Sequence, residues 1–292
     1  MERRLFLQIL GLSALLHQQL LRDLAAAEMP VVAVAEGKDH ALITRRATTA
    51  LGGMKRFVKP GDVVVIKPNI GWDRRPEQAA NTNPLVVRAL AEEALRAGAK
   101  KVKVFDRTCN DERRCYTNSG MVGALEDIKQ VELKYVEKER FRKALLAGTG
   151  KEWDLYGEAM DADVFINVPV AKHHGLTGLT LAIKNMMGIM GGNRGSIHGN
   201  IDNVLADVNV LRRSNLVVID ATRILTAHGP QGGALEDVRV LNKVIASRDI
   251  VAADAYATTL FGLKPETIAT TVAAYKKGLG EMHLNKIRII PA

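Results

Sequence analysis

The sequence predicts an α/β fold, a mainly parallel sheet with helices on both faces, and three observations carry that reading. Short β-branched runs alternate with longer segments of helical periodicity. The runs Val63-Val64-Val65-Ile66 and Val164-Phe165-Ile166 are apolar without a break, as in strands covered on both faces. The 292 residues can bury a sizeable core, and no repeat, low-complexity tract or Pro/Gly/Ser linker divides them. Residues 28–292 therefore read as a single domain.

The elements follow in order. Residues 31–35 are β-branched and bounded by Pro30 and Gly37, which predicts a strand. Residues 41–57 read as a helix. Lys59-Pro60-Gly61-Asp62 is a turn. The strand 63–66 ends at Lys67-Pro68-Asn69, and a polar loop leads to Asn83. Asn83 is a good N-cap with Pro84 at the first helical position, and Gly98 stops that helix. Residues 101–105 form the next strand and lead into Asp106-Arg107. Helices are expected over 118–128 and 139–146, with a strand at 131–136 between them. A strand at 164–168 precedes a helix that starts at Thr177 or Gly178 and runs through Gly188. A helix over 201–211 and a strand at 216–219 lead to Asp220. The chain closes with a strand at 242–246, helices at 250–261 (Asp249 as N-cap) and 265–276, and a strand at 287–290.

In parallel sheets, ligands bind beyond the carboxyl ends of the strands. Four predicted strands end in polar groups there: Lys67 and Asn69, Asp106 and Arg107, Lys172 to His174, and Asp220. The stretch from Asn167 to Asn200 is the densest. It holds Lys172, His173, His174, Lys184, Asn185, Arg194 and His198, three of the chain's seven histidines among them. On the helix expected after Thr177, Leu179, Ile183, Met186 and Met190 share a core-facing stripe. Thr177, Thr180 and Lys184 share another face, where Lys184 and the helix N-terminus could meet an anion. Lysines gathered at one cleft repel each other unless acids or an anion lie between them. Asp106 alone cannot neutralise Lys67, Lys172 and Lys184. The cleft is therefore expected to be electropositive and to hold a phosphate- or carboxylate-bearing compound.

In this reading His173, His174, Lys172 and Lys184 carry acid–base chemistry. Lys67, Asn69, Asn83, Asp106, Asn185, Arg194 and His198 bind the ligand. Adjacent histidines on an extended segment point opposite ways, so one of the pair faces a given ligand. No H-x-H, H-x₃-H or H-E-x-x-H spacing exists, and the two cysteines form no C-x-x-C, so no metal site is assigned.

Formal net charge is +9. The basic residues are interleaved with acids, and no basic stripe with stacking aromatics occurs, which argues against nucleic acid. Residues 1–27 read as a signal peptide. Arg3-Arg4 before Leu5-Phe6-Leu7 resembles a twin-arginine export motif, residues 9–16 are a short apolar region, and Ala25-x-Ala27 is a cleavage site. Eight apolar residues cannot span a bilayer, so no integral membrane segment is expected after processing. The expected location is periplasmic or extracytoplasmic, reached folded through the twin-arginine machinery. Cys109 and Cys115 could close a disulfide loop there.

An ordered series of residues resembles one family. It runs Lys67-Pro68-Asn69, Asn83-Pro84, Gly98-Ala99-Lys100, Lys172-His173-His174, Lys184-Asn185-Met186-Met187-Gly188, His228-Gly229-Pro230, then Ser247-Arg248-Asp249 and Asp254-Ala255. This is similar to the domain-of-unknown-function 362 family, over nearly all of residues 31–290. The resemblance implies twin-arginine export in many relatives and a four-cysteine ferredoxin-like module in others. This chain lacks that module, so no iron–sulfur cluster is expected. The family implies no reaction and names no cofactor. The chain is thus expected to be an exported protein that acts on or binds a small anionic compound by Lys/His acid–base chemistry. Its rivals are a non-catalytic binding or redox-accessory module, and a metalloprotein using His173, His174 and His198.

Overall fold

The structure is a computed structural model that describes residues 29–292. The expected export signal over residues 1–27 lies outside the described residues.

The fold is α/β. A ten-stranded sheet carries the main path β12-β1-β11-β10-β7-β2-β3-β4. Its parallel centre is β10 (Leu216–Leu225), β7 (Val164–Val168), β2 (Val63–Pro68), β3 (Lys101–Val104) and β4 (Val131–Leu133). β11 (Val238–Ser247) runs antiparallel between β10 and β1 (Val31–Glu36), and β12 (Arg288–Pro291) closes that side parallel to β1. β8 (Val170–His174) continues from β7 and pairs with the far half of β10, with β9 (Gly178–Thr180) folded back on it.

Strand alternation divides the apolar side chains between two cores. Val65, Phe165, Val217, Ile219 and Ile245 face one core, with the helices α7 (Ile201–Leu211), α8 (Ile250–Thr259) and α9 (Ala269–Lys276). Val64, Ile66, Val164, Ile166, Val218 and Val244 face the other. There they meet α1 (His40–Ala50), α2 (Pro84–Arg96), α3 (Glu112–Asn118) and α4 (Met121–Leu125). Helices on both faces explain why the strand runs are continuously apolar, since neither face meets water. Burying each Val or Ile contributes about 1.5–3 kcal/mol.

Several helix boundaries behave as the capping residues dictate. Asn83 Oδ1 accepts from Leu85 N at 3.0 Å with Pro84 opening α2, and Asp39 Oδ1 accepts from Leu42 N at 2.9 Å at the start of α1. The expected helix over 41–57 ends early, because Gly52 and Gly53 take positive φ and turn the chain.

Three expectations are corrected. Residues 139–146 form not a helix but β5 (Phe141–Leu146), a hairpin with β6 (Lys151–Tyr156), in which half-buried Phe141 packs at a tilt against the Tyr156 ring. The single helix from 177 to 188 is instead β9, the short α6 (Ala182–Asn185) and a 3-10 turn, Met186–Ile189. The stripe of Leu179, Ile183, Met186 and Met190 is buried as expected, but from three elements rather than one face. Finally, Cys109 and Cys115 are both free thiols. Cys115 is packed in the core on α3, and burial pushes its thiol up to about 11, whereas Cys109 is exposed.

Candidate functional site

The carboxyl edge of the parallel strands opens into a cavity of about 390 Å³. Lys67, Asn69, Asp106, Lys172, His174, Lys184, Asn185, Arg194 and His198 all line it. Their convergence follows from the topology. Parallel register sets Lys67 of β2 beside Asn167 of β7. The residues after β3 bring Asp106 alongside, and β8 carries Lys172 and His174 over the top.

The floor is a closed polar network. Lys67 Nζ lies 2.8 Å from Asp106 Oδ1 and donates to Asn185 Oδ1 at 2.7 Å, and all three side chains are buried. Asp106 Oδ2 accepts from Ile70 N at 2.7 Å. The Asn185 side-chain amide donates to Lys67 O at 3.1 Å and Asn167 Oδ1 at 2.8 Å. Burial lowers the pKa of Lys67, and Asp106 opposes that shift. Gly188 lies directly against the Lys67–Asp106 pair, so a Cβ there would collide with both side chains. That close approach accounts for the glycine ending Lys184-Asn185-Met186-Met187-Gly188.

Lys172 is held differently. Its Nζ donates to Ala80 O at 2.5 Å, Pro230 O at 3.0 Å and Asn69 Oδ1 at 3.3 Å. Burial pushes it down to about 7, while these three acceptors hold the N–H groups of the protonated form. Pro230 comes from the His228-Gly229-Pro230 turn, whose Gly229 N also donates to His173 Nδ1 at 3.1 Å. Arg194 is likewise engaged, with Nη1 donating to Arg107 O at 3.0 Å and Nη2 to Thr108 O at 3.0 Å.

Lys184 stands apart. Among the described residues its Nζ meets only Met187 Sδ, at 3.2 Å, and the residue is 9% exposed. Burial, with Arg194 and Lys67 nearby, pushes it down to about 8. Thr180, four residues earlier on the same wall, is also buried, and its Oγ1 has no partner among the described residues. His174 Nδ1 accepts from Leu176 N at 3.1 Å. That bond leaves the ring hydrogen on Nε2. Burial first, then Lys184 and Lys172, push His174 down to about 3, so it is a neutral donor rather than a proton carrier near pH 7.

Three further assignments are corrected. Asn83 is not in the cavity: its N–H donates to Asp220 Oδ2 at 2.7 Å and its amide to Thr222 Oγ1 at 3.1 Å, so Asn83 and Asp220 hold a loop together. His173 also leaves the cavity, for it alternates with His174 along β8 and faces Gly229. The N-terminus of α6 does not face an anion. Asp254 Oδ1 and Oδ2 accept from Ala182 N at 2.8 Å and Ile183 N at 3.0 Å. Burial raises Asp254 to about 7. His173, His174 and His198 form no metal cluster, and no group of three His, Cys, Asp or Glu side chains able to hold a metal occurs among the described residues.

Trp72, Cys109, Met187 and Pro230 line the cavity unanticipated, and Thr180, expected on the face of Lys184, lines it as well. Trp72 could have been suspected, as a tryptophan in the polar loop just beyond Asn69. Asn81 fixes it by pairing with its backbone, at 3.0 Å to N and 2.8 Å to O. Asp254, 72 residues from Ala182 of the helix it caps, left only its place in the family-like series as a signal.

A family model described as Domain of unknown function (DUF362) matches residues 64–259, which span every residue lining the cavity. The chain belongs to the DUF362 family. This DUF362 chain is also similar to a thylakoid-associated protein of Synechocystis, at 31% identity over 78% of this chain and 72% of that protein. Among solved structures it is similar to a Thermotoga maritima protein (TM-score 0.46, 11% identity, 78% of this chain and 60% of that one). A second is the lactate racemase apoprotein of Thermoanaerobacterium thermosaccharolyticum (TM-score 0.44, 12% identity, 74% of this chain and 54% of that one). The chain spans less than two thirds of both structures.

Proposed function

We propose that this DUF362 protein is an exported α/β protein whose carboxyl-edge cavity binds a small phosphate- or carboxylate-bearing compound, with Lys184 as the proton-transferring group. One observation carries the reading. Three lysines, Arg107 and Arg194 share a cavity of about 390 Å³ with a single carboxylate, Asp106, and that carboxylate already pairs with Lys67. The excess positive charge is buried, and its cost falls when an anion enters. Thr180 Oγ1, which has no partner among the described residues, and Lys184 Nζ, which meets only a thioether there, supply unfilled hydrogen-bonding capacity on one wall. Neutral His174 adds an Nε2–H donor. Lys67 and Arg194 act through their charge, and Lys172 adds its own below about pH 7. Lys184, near its midpoint at about 8, can give or take a proton near neutral pH.

Calorimetric titration with inorganic phosphate and small carboxylates tests this. Binding is expected to be strongest below about pH 7 and to weaken as first Lys172 and then Lys184 lose their protons above it. Lys184→Ala is expected to weaken binding by about 1–3 kcal/mol. No heat and no thermal stabilisation with any of these anions would sink the reading. Export is tested separately by N-terminal sequencing of secreted protein, which is expected to begin at Glu28.

A further inference from the structure

The cavity's cations divide by what their N–H groups meet. Lys67, Lys172, Arg107 and Arg194 are tied to protein oxygens, which fix them in place. Lys184 Nζ has only a thioether beside it. Anion binding alone does not require this difference, because a lysine pinned like Lys172 attracts an anion as well. The difference matters for a group that must react, since a nitrogen needs an unengaged lone pair to act as a nucleophile.

We propose that Lys184 is a carbonyl-reactive amine that condenses with an aldehyde or keto carbon of the bound carboxylate or phosphate compound. The inference rests on the anion-binding reading and names the substrate class within it, a small anion that also carries a carbonyl. The fixed cations hold the anionic group, and Lys184 Nζ meets the carbonyl carbon.

The step balances without redox chemistry. The Nζ lone pair forms the N–C bond, and the carbonyl π pair moves to oxygen. Nζ gives up a proton and the oxygen gains one, leaving a carbinolamine. His174 Nε2–H can donate a hydrogen bond to that oxygen as charge grows on it. A further proton from water converts the hydroxyl into a leaving water molecule, the C–O bond breaks, and a protonated imine remains.

The surroundings suit this chemistry. A lysine is activated when it is desolvated or set beside another cation, and Lys184 is both. Its value of about 8, against 10.5 for a free lysine, raises the neutral amine fraction at neutral pH roughly a few hundredfold. The positive charge that the imine carries falls where Lys184 carried its own, so the cavity's charge balance is preserved.

The test uses the full chain near neutral pH with pyruvate, or with dihydroxyacetone phosphate, and sodium cyanoborohydride, followed by peptide mass mapping. Lys184 is expected to be alkylated at least about tenfold faster than the average exposed lysine, and inorganic phosphate is expected to slow its labelling. Lys184→Arg is expected to lose that adduct. Should the variant fail to fold, the wild-type map still decides. Calorimetry with lactate and inorganic phosphate runs in parallel. If these anions bind while Lys184 stays unlabelled, the inference is overturned and the anion-binding reading stands. If neither binds and Lys184 is unlabelled, both fall. Labelling of Lys184 that phosphate does not slow also overturns the inference, because reactivity would then be independent of the anion site.

Discussion

Two cavities lie at opposite edges of the sheet, and they differ in what their charges cost. The one at the amino edge is larger, about 700 Å³ against 390 Å³. Its charged lining includes Arg56, Arg248 and Arg288, all exposed, together with Asp249, which caps α8 by accepting from Ala252 N at 2.8 Å. Water solvates those guanidinium groups, so their placement there is nearly free. The carboxyl-edge cavity keeps Lys67, Lys172 and Lys184 buried, and burial lowers the pKa of each. A chain that buries three lysines in one cavity gives up stability at that edge. Volume alone would have directed attention to the wrong edge.

That contrast can be broken most severely at Asp106. Asp106→Ala removes the partner of a buried lysine and an acceptor for Ile70 N. A loss of about 3–5 kcal/mol is expected, seen as a fall of roughly 10 °C in melting temperature. A fall of under about 3 °C would mean that the pair is not under this constraint.

Asp254→Ala comes next. It leaves two buried N–H groups of α6 without an acceptor, at a cost of about 2–4 kcal/mol by urea unfolding. Anion affinity is expected to fall as well, although Asp254 does not line the cavity, because α6 carries Lys184 and Asn185. Unchanged affinity in a folded variant would remove Asp254 from any positioning role.

Lys184→Met sharpens the comparison from the other side. The folded pKa of Lys184, about 8, lies below its ordinary 10.5. The folded state therefore resists protonation that the unfolded chain accepts, and this penalty is fully present below pH 8 and gone above 10.5. In the absence of anions the variant is expected to be more stable than the native chain by about 2 kcal/mol at pH 7. The gain should shrink as pH rises from 8 to 10.5. A gain independent of pH would point to packing rather than charge.

Arg248→Ala, at the amino edge, is expected to do least. Stability should change by no more than about 0.5 kcal/mol, with anion affinity unaltered. A loss of anion binding comparable to that of Lys184→Ala would reverse the assignment of the two edges.

Much of the architecture was legible because local signals and tertiary demands agree. Val63 to Ile66 reads as a doubly covered strand from composition alone, and Asn83-Pro84 marks a helix start whatever lies around it. The rule that parallel strands gather ligands at their carboxyl ends was enough to group Lys67, Asp106 and Lys172, but it also grouped Asp220, which lies inside β10 and holds Asn83 instead. Legibility failed where partners distant in sequence decide. Residues 139–146 have helix-compatible composition, yet pairing with residues 151–156 and the Phe141–Tyr156 ring contact make them a strand. The segment 177–188 has helical spacing, but pairing of Gly178–Thr180 with β8 takes its first turn.

By itself, then, the sequence determined most of the strands and which of their ends carry Lys67, Asp106 and Lys172, because apolar periodicity and turn chemistry are local. Only the tertiary structure decided what each of them can do. Lys172 and Lys184 look alike in sequence. One closes on Ala80, Pro230 and Asn69, and the other on nothing but a methionine sulfur. His173 and His174 are neighbours, and one alternation of the strand sends them to different surroundings. Asn83 has the composition of a ligand-binding residue and serves as a loop tie. The physical reason is common to all of them. A polar side chain's role is set by the acceptors, donors and low-dielectric packing around its tip, and those come from segments many tens of residues away.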